Sequence, residues 1–202
     1  MKMSSITMTN LGFFLNEGAF YEHIRMKKGS KRALPIERIL ETARNIPLPK
    51  VLYRVSEARI IDATHFTLDG VLFESEVGVE KISKATYVFP NIVTAGSEIE
   101  DHCFSRENLL DQYIIMELCN FACEFAREAL IRDIKSRYGV EILDCIYPGE
   151  EGFRLESGKK IFDLFENVED EIGVSVTEMG LTTPSRTAYA IYFGCINDDQ
   201  MN

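Results

Sequence analysis

The side chains able to do chemistry in this sequence are a few thiols and imidazoles and one carboxylate in apolar surroundings. Cys119 and Cys123 stand four residues apart and His102-Cys103 lies upstream. Spacing of four puts both thiols on one helix face, so a shared zinc ion is the first chemistry to weigh. The pattern matches no compact zinc motif, and cysteines on an apolar helix pack as small hydrophobes. Core packing and no metal are therefore expected. A Cys–His nucleophile fares no better, because the only histidines are His23, His65 and His102 and none has a nucleophile context. Gly149 and Gly152 fit neither the dinucleotide fingerprint nor the Walker pattern, which leaves nucleotide hydrolysis unsupported.

Two features offer more. Glu124 sits between Cys123 and Phe125 in the most apolar helical stretch, where an unpaired carboxylate is costly. Either it faces a cleft, or it lies on a solvent stripe or pairs with Arg127 or Arg132. The second feature is Ile146-Tyr147-Pro148-Gly149, a strand running into a turn. A glycine after proline lets the backbone approach a ligand closely before the next helix begins, and a plain tight turn accounts for the same residues.

Several elements must position these groups. Ile36, Ile39, Leu40 and Ala43 recur at helical spacing after Pro35, which predicts a short amphipathic helix from Pro35 to Asn45. Strands are expected over Val51 to Val55, Arg59 to Ile61, Val71 to Phe73 and Ala85 to Phe89. Ser97 and Glu100 have capping-box spacing. From about Ser105 to Tyr138 the apolar residues cover several sides of one long helix without Pro or Gly, and Gly139 ends it. A strand from Val140 to Ile146, a helix from Leu155 to Phe165, a strand from Ile172 to Val176, a turn at Gly180 and a last strand from Ala188 to Phe193 complete the chain. The segment 1–34 reads as a loosely held arm or strand, and 35–202 as the body of a single domain.

Hydrophobic residues make up 46% and charged residues 27% of the 202 positions, a globular balance that excludes extensive disorder. Against 22 basic residues stand 32 acidic ones, for a formal net charge of -10. That field repels phosphate backbones and anionic membranes, so neither nucleic acid nor a membrane is expected as partner. The same acidity either keeps the protein soluble or steers a basic protein partner. Five scattered cysteines argue against a disulfide framework, and neither a signal core nor an apolar run of membrane-spanning length is present. The expected compartment is the cytoplasm.

The C-terminal third carries an ordered series: Ile146-Tyr147-Pro148-Gly149, Leu155-Glu156, Ile161-Phe162-Asp163-Leu164-Phe165, then Ile172 through Glu178, Leu181 through Ala188, and Ile191-Tyr192-Phe193-Gly194. In that order it resembles the activation domain of cobalamin-dependent methionine synthase, in particular small standalone members of that family. Upstream, Thr94-Ala95-Gly96, Glu100 and the long helix with Glu124 are collinear with it. The resemblance implies an α+β fold, a twisted antiparallel sheet with long helices. It also implies an S-adenosylmethionine (AdoMet) site along the Pro-Gly turn, lined by Ile146, Tyr147, Pro148 and Gly149, with Tyr192 and Phe193 on the last strand and Glu124 on the helix.

The implied role is reductive reactivation of a corrinoid methyltransferase such as methionine synthase. An inactive cob(II)alamin held on that partner is reduced by one electron and remethylated from AdoMet. The corrinoid-binding methyltransferase would be a separate protein, as would a flavodoxin-like or other electron donor. Two departures stand out. Cys145 occupies the place of the family's carboxylate-binding arginine, and Glu150 that of a tyrosine. The alternative is a docking or regulatory module that keeps the fold and no longer binds AdoMet.

Overall fold

The computed structural model describes residues 4–150 and 152–196. In chain order the elements are β1 (Ile6–Met8), α1 (Glu17–His23), α2 (Leu34–Ala43), β2 (Lys50–Tyr53), β3 (Ala58–Ile60), β4 (His65–Leu68), β5 (Val71–Glu74) and α3 (Glu76–Lys84). They continue with β6 (Tyr87–Thr94), α4 (Ser97–Phe104), α5 (Leu109–Tyr138), β7 (Val140–Ile146), α6 (Ser157–Phe162), α7 (Val168–Ile172), β8 (Ser175–Val176), β9 (Thr182–Thr183) and β10 (Thr187–Ile196).

A five-stranded sheet in the order β1-β2-β6-β10-β7 forms the centre, and every pairing in it is antiparallel. Strand periodicity gives it two apolar faces. Val51, Tyr53, Phe89, Val93, Ala190 and Tyr192 pack on Ala126, Leu130 and Ile134 of α5. Their neighbours Leu52, Val88, Ile92, Ile191 and Phe193 join Phe66 and Phe73 of the β3-β4-β5 meander and Phe162 and Phe165 on the opposite face. The first half of α5 leaves the sheet and packs Ile114, Ile115, Leu118 and Cys119 against Phe20, Leu40 and Ile99. These two partners explain why α5 is apolar on more than one side. Each such side chain contributes about 1.5–3 kcal/mol when fully buried.

Local chemistry sets the ends of α5. The Asn108 side chain accepts from the N–H groups of Leu110 (2.8 Å) and Asp111 (3.4 Å). Gly139 closes the helix in the left-handed region at φ 62, its N–H donating to the Lys135 carbonyl. The expected start at Ser105 is therefore corrected: α4 ends at Phe104, and α5 begins only after the Asn108 cap. The expected capping box is also corrected. Gly96 stands at the N-cap, and the Glu100 carboxylate reaches across to accept from the Ser185 N–H (2.6 Å) and the Ser185 hydroxyl.

Other boundaries moved for identifiable reasons. Ile172 closes the short helix α7 and Gly173, at φ 71, turns the chain out of it, so the strand is confined to Ser175–Val176. The first 34 residues are held at two points: β1 pairs with β2, and Phe20 and Tyr21 of α1 are buried. Strand β4 and helix α3 are additional to the expected elements, although both have local signals. Asp69-Gly70 takes positive φ at both residues and makes the two-residue turn between β4 and β5. Ser75 caps α3 by accepting from the Gly78 N–H at 2.9 Å.

Candidate ligand site at the end of the central strands

Strands β7 and β10 lie side by side, with Tyr192 opposite Cys145 and Ile191 opposite Ile146. This pairing brings the Pro-Gly turn and the last strand together. Tyr147 and Tyr192 meet on the α5 side, hydroxyl to hydroxyl at 3.2 Å with their rings edge to face. Burial raises the pKa of both phenols, so they are neutral hydrogen-bonding groups at pH 7. The Cys145 thiol beside them is likewise pushed up by burial and remains protonated.

Ile146 and Phe193 point to the other face, into the core shared with the meander. Phe193 there borders a small cavity of about 170 Å³ with Lys81 and Asp144, which form an ion pair. The residues proposed for one ligand thus divide between two faces, because consecutive strand residues alternate.

The turn itself is internally braced. Gly149, at φ 96, donates its N–H to the Phe153 carbonyl (2.8 Å), and the Glu150 N–H donates to the Tyr147 carbonyl (3.1 Å). The Tyr147 N–H donates to Glu150 Oε2 at 3.2 Å. These amides are therefore already partnered. On its outer side the turn borders a cleft of about 550 Å³ in which Glu74, Glu76, Glu150 and Glu156 face a single arginine, Arg154.

Glu124 lies on α5, bound by Arg127 three residues on, whose Nε is 2.8 Å from Glu124 Oε2 and whose Nη2 contacts Oε1. The guanidinium lowers the carboxyl pKa, and the carboxylate raises that of the arginine. The Arg127 guanidinium also acts against burial on the Tyr192 phenol, lowering its pKa, which links Glu124 electrostatically to the tyrosine pair. Two cavities flank Glu124. One, of about 870 Å³, is lined by Phe13, Phe14, Phe121 and Phe125. The other, of about 270 Å³, lies between α5 and the start of β10 and is lined by Asn120, Arg127 and Arg186.

Sequence reasoning did not find Arg186 or the Phe13-Phe14 pair. Arg186 carried a faint signal, being the lone cation in the Thr183-to-Ala188 series, whereas nothing local joins Phe13 to a helix a hundred residues on. The thiols are where packing predicts: Cys119 and Cys103 are buried, and burial pushes Cys119 up to about 12 and Cys123 up to about 11. Among the described residues no group of three or more His, Cys, Asp or Glu is placed to hold a metal ion, and no helix is long and apolar enough to cross a membrane.

Comparison with known proteins supplies the fold. No family model matches the sequence, and no curated protein does. Among solved structures, the chain is similar to a crystal structure of the MetH reactivation domain bound to AdoHcy, with a TM-score of 0.68 at 15% sequence identity, over 95% of this chain and 78% of that one. The α+β fold of a curled antiparallel sheet with a long helix is that of the reactivation domain.

Proposed function

We propose that the protein is a reactivation-type accessory to a corrinoid methyltransferase and that an AdoMet-type ligand lies on the α5 side of β7 and β10. The reading rests on one observation: within a fold shared with the MetH reactivation domain, the Tyr147 turn lies beside Tyr192. Tyr147, half-buried, offers such a ligand an aromatic edge and a neutral hydroxyl braced by the buried Tyr192, while the cation for its carboxylate must come from off the strand, since Cys145 is a neutral thiol. When bound, AdoMet supplies the methyl group. The residues of this chain orient it and limit its exposure to water, a contribution of placement and electrostatics. Cobalamin would be carried by the partner.

A second reading has its own support. With the turn amides partnered internally and no cation at position 145, the chain can serve as a corrinoid-protein docking module without AdoMet. One experiment separates the two. An inactive cob(II)alamin methyltransferase is incubated anaerobically with a one-electron reductant and AdoMet, with and without the chain, while methylcobalamin is followed by its absorbance. Formation that depends on the chain supports reactivation. Complex formation without methylation leaves docking, and neither outcome together with absent AdoHcy binding rejects both.

A further inference from the structure

Two exposed patches of opposite charge have no role in the site described above. Arg25, Lys27, Lys28, Lys31 and Arg32 crowd the turn between α1 and α2 with no acid among them, on a chain of net charge -10. All are exposed, and among the described residues only Lys28 has an ion pair, with Glu17. The turn is held in shape from within. The Ser30 N–H donates to the Lys27 carbonyl (3.1 Å), the Ala33 N–H to the Ser30 carbonyl (2.9 Å) and the Gly29 N–H to the Glu37 carboxylate (3.0 Å). Like charges fixed on one short turn repel one another, and an acidic surface placed against them relieves that repulsion.

The opposite patch is the cleft of about 550 Å³ outside the Tyr147 turn, where Glu74, Glu76, Glu150 and Glu156 outnumber Arg154. Glu74, Glu76 and Glu156 hold no ion pair among the described residues, and Glu150 accepts the Tyr147 N–H. An apolar lip stands beside these carboxylates. Leu155 lies against Gly149 and Gly180, Met179 and Leu181 flank Gly180, and the three side chains are 45%, 66% and 66% exposed. Acid around an exposed apolar lip suits a basic segment that carries an apolar anchor. The α1–α2 turn is such a segment, because Leu34, 49% exposed, follows directly after Arg32-Ala33. The two patches are built on different cores. Helices α1 and α2 bury Phe20, Ile36 and Leu40 with the first half of α5, whereas the cleft is lined by Phe153, which packs with Phe73 of the meander.

We infer that the chain associates head to tail with a second copy, the basic α1–α2 turn of one copy seated in the acidic cleft of the next and Leu34 set against Leu155, Met179 and Leu181. A contact between two different patches leaves one of each free at the ends, so assemblies lengthen as concentration rises unless the rotation closes a ring. The net charge of -10 opposes approach at long range. Salt near 0.1 M confines that repulsion to about 10 Å and leaves the close pairs intact, whereas at about 1 M the screening length of about 3 Å weakens the pairs as well. Because the turn is already ordered in the single copy, little conformational freedom is lost when it docks.

Sedimentation velocity of the full chain over a range of concentrations tests the contact. The average mass should rise with concentration at about 0.1 M salt and return to that of the monomer at about 1 M. Reversing the turn (Lys27→Glu with Lys31→Glu and Arg32→Glu) or the cleft (Glu74→Lys with Glu156→Lys) should weaken association by about a hundred-fold or more. Mixing the two variants should restore it, since the intact turn of one still fits the intact cleft of the other. A misfolded variant would give no such rescue. Should either variant lose the native circular dichroism spectrum, Leu34→Asp removes the apolar anchor with an acid that the first turn of a helix accepts, and it should weaken association by about ten-fold. A wild type that stays monomeric throughout assigns the two patches to other proteins and overturns self-association. Association that persists at about 1 M salt, or folded variants that fail to complement each other, overturns it equally.

Discussion

Tyr192 and Phe193 are adjacent in sequence and both are buried, yet they serve opposite faces of the sheet. The Tyr192 hydroxyl lies 3.2 Å from that of Tyr147 on the α5 side, whereas Phe193 belongs to the core beneath the meander. Substitutions at the two positions should therefore separate binding from stability. Phe193→Ala should cost about 3–5 kcal/mol in denaturant unfolding and leave the affinity of the surviving folded fraction for AdoHcy nearly unchanged. Tyr192→Phe, which removes only the hydroxyl, should cost about 0.5–1.5 kcal/mol and weaken AdoHcy. Equal effects of both on affinity would place the ligand elsewhere.

Position 145 tests the missing strand cation. Cys145→Arg should tighten AdoHcy by about ten-fold if the ligand carboxylate can reach the strand. Glu150→Tyr removes the acceptor of the Tyr147 N–H and should loosen the turn by about 1 kcal/mol on its own. Calorimetry of the single and double variants checks both, and unchanged affinity in Cys145→Arg would favour the docking reading.

Arg54 and Asp69 form a buried pair, at 3.3 Å, with side chains 4% and 9% exposed. Asp69 also accepts from the Ser56 hydroxyl and the Glu57 N–H, and Arg54 donates to the Leu164 carbonyl. Asp69→Ala leaves an uncompensated cation and should destabilise by about 3–5 kcal/mol, read from the shift in the denaturation midpoint. A loss below 1 kcal/mol would show that water reaches Arg54.

Acid should act through the depressed carboxylates. Backbone hydrogen bonding from Thr64, then the His65 side chain, holds Asp62 at about 2. Its contribution to stability is complete above the ordinary aspartate pKa near 3.9 and is lost as pH falls toward about 2. Asp144, lowered by Lys81, acts in the same direction. Carboxyl-carbon NMR should show Asp62 titrating well below an ordinary aspartate, and a midpoint near 4 would remove the effect.

Thiol reactivity should follow burial. Cys119, at about 12, and Cys103, also raised, should resist a disulfide reagent at pH 8 in the native chain and react at once in denaturant. Rapid native labelling of Cys119, identified by mass spectrometry, would mean that the packing of α5 on α4 opens readily.

What could be read from the sequence alone was whatever short-range chemistry controls. Val140 to Ile146 is a strand with the expected bounds, and Gly139 ends α5, because a left-handed residue and a β-branched run act within a few positions. Proline, glycine and the Tyr147 turn were legible for the same reason. The sheet order, the side to which each strand residue points and the reach of Glu100 to Ser185 were not, since these depend on contacts between residues far apart in the chain. Tertiary structure alone set Tyr192 against Tyr147, removed Phe193 from their company, paired Glu124 with Arg127 and left the Arg186 Nε buried without a partner. Side-chain type limits what a residue can do; packing decides which groups face one another and which are already satisfied.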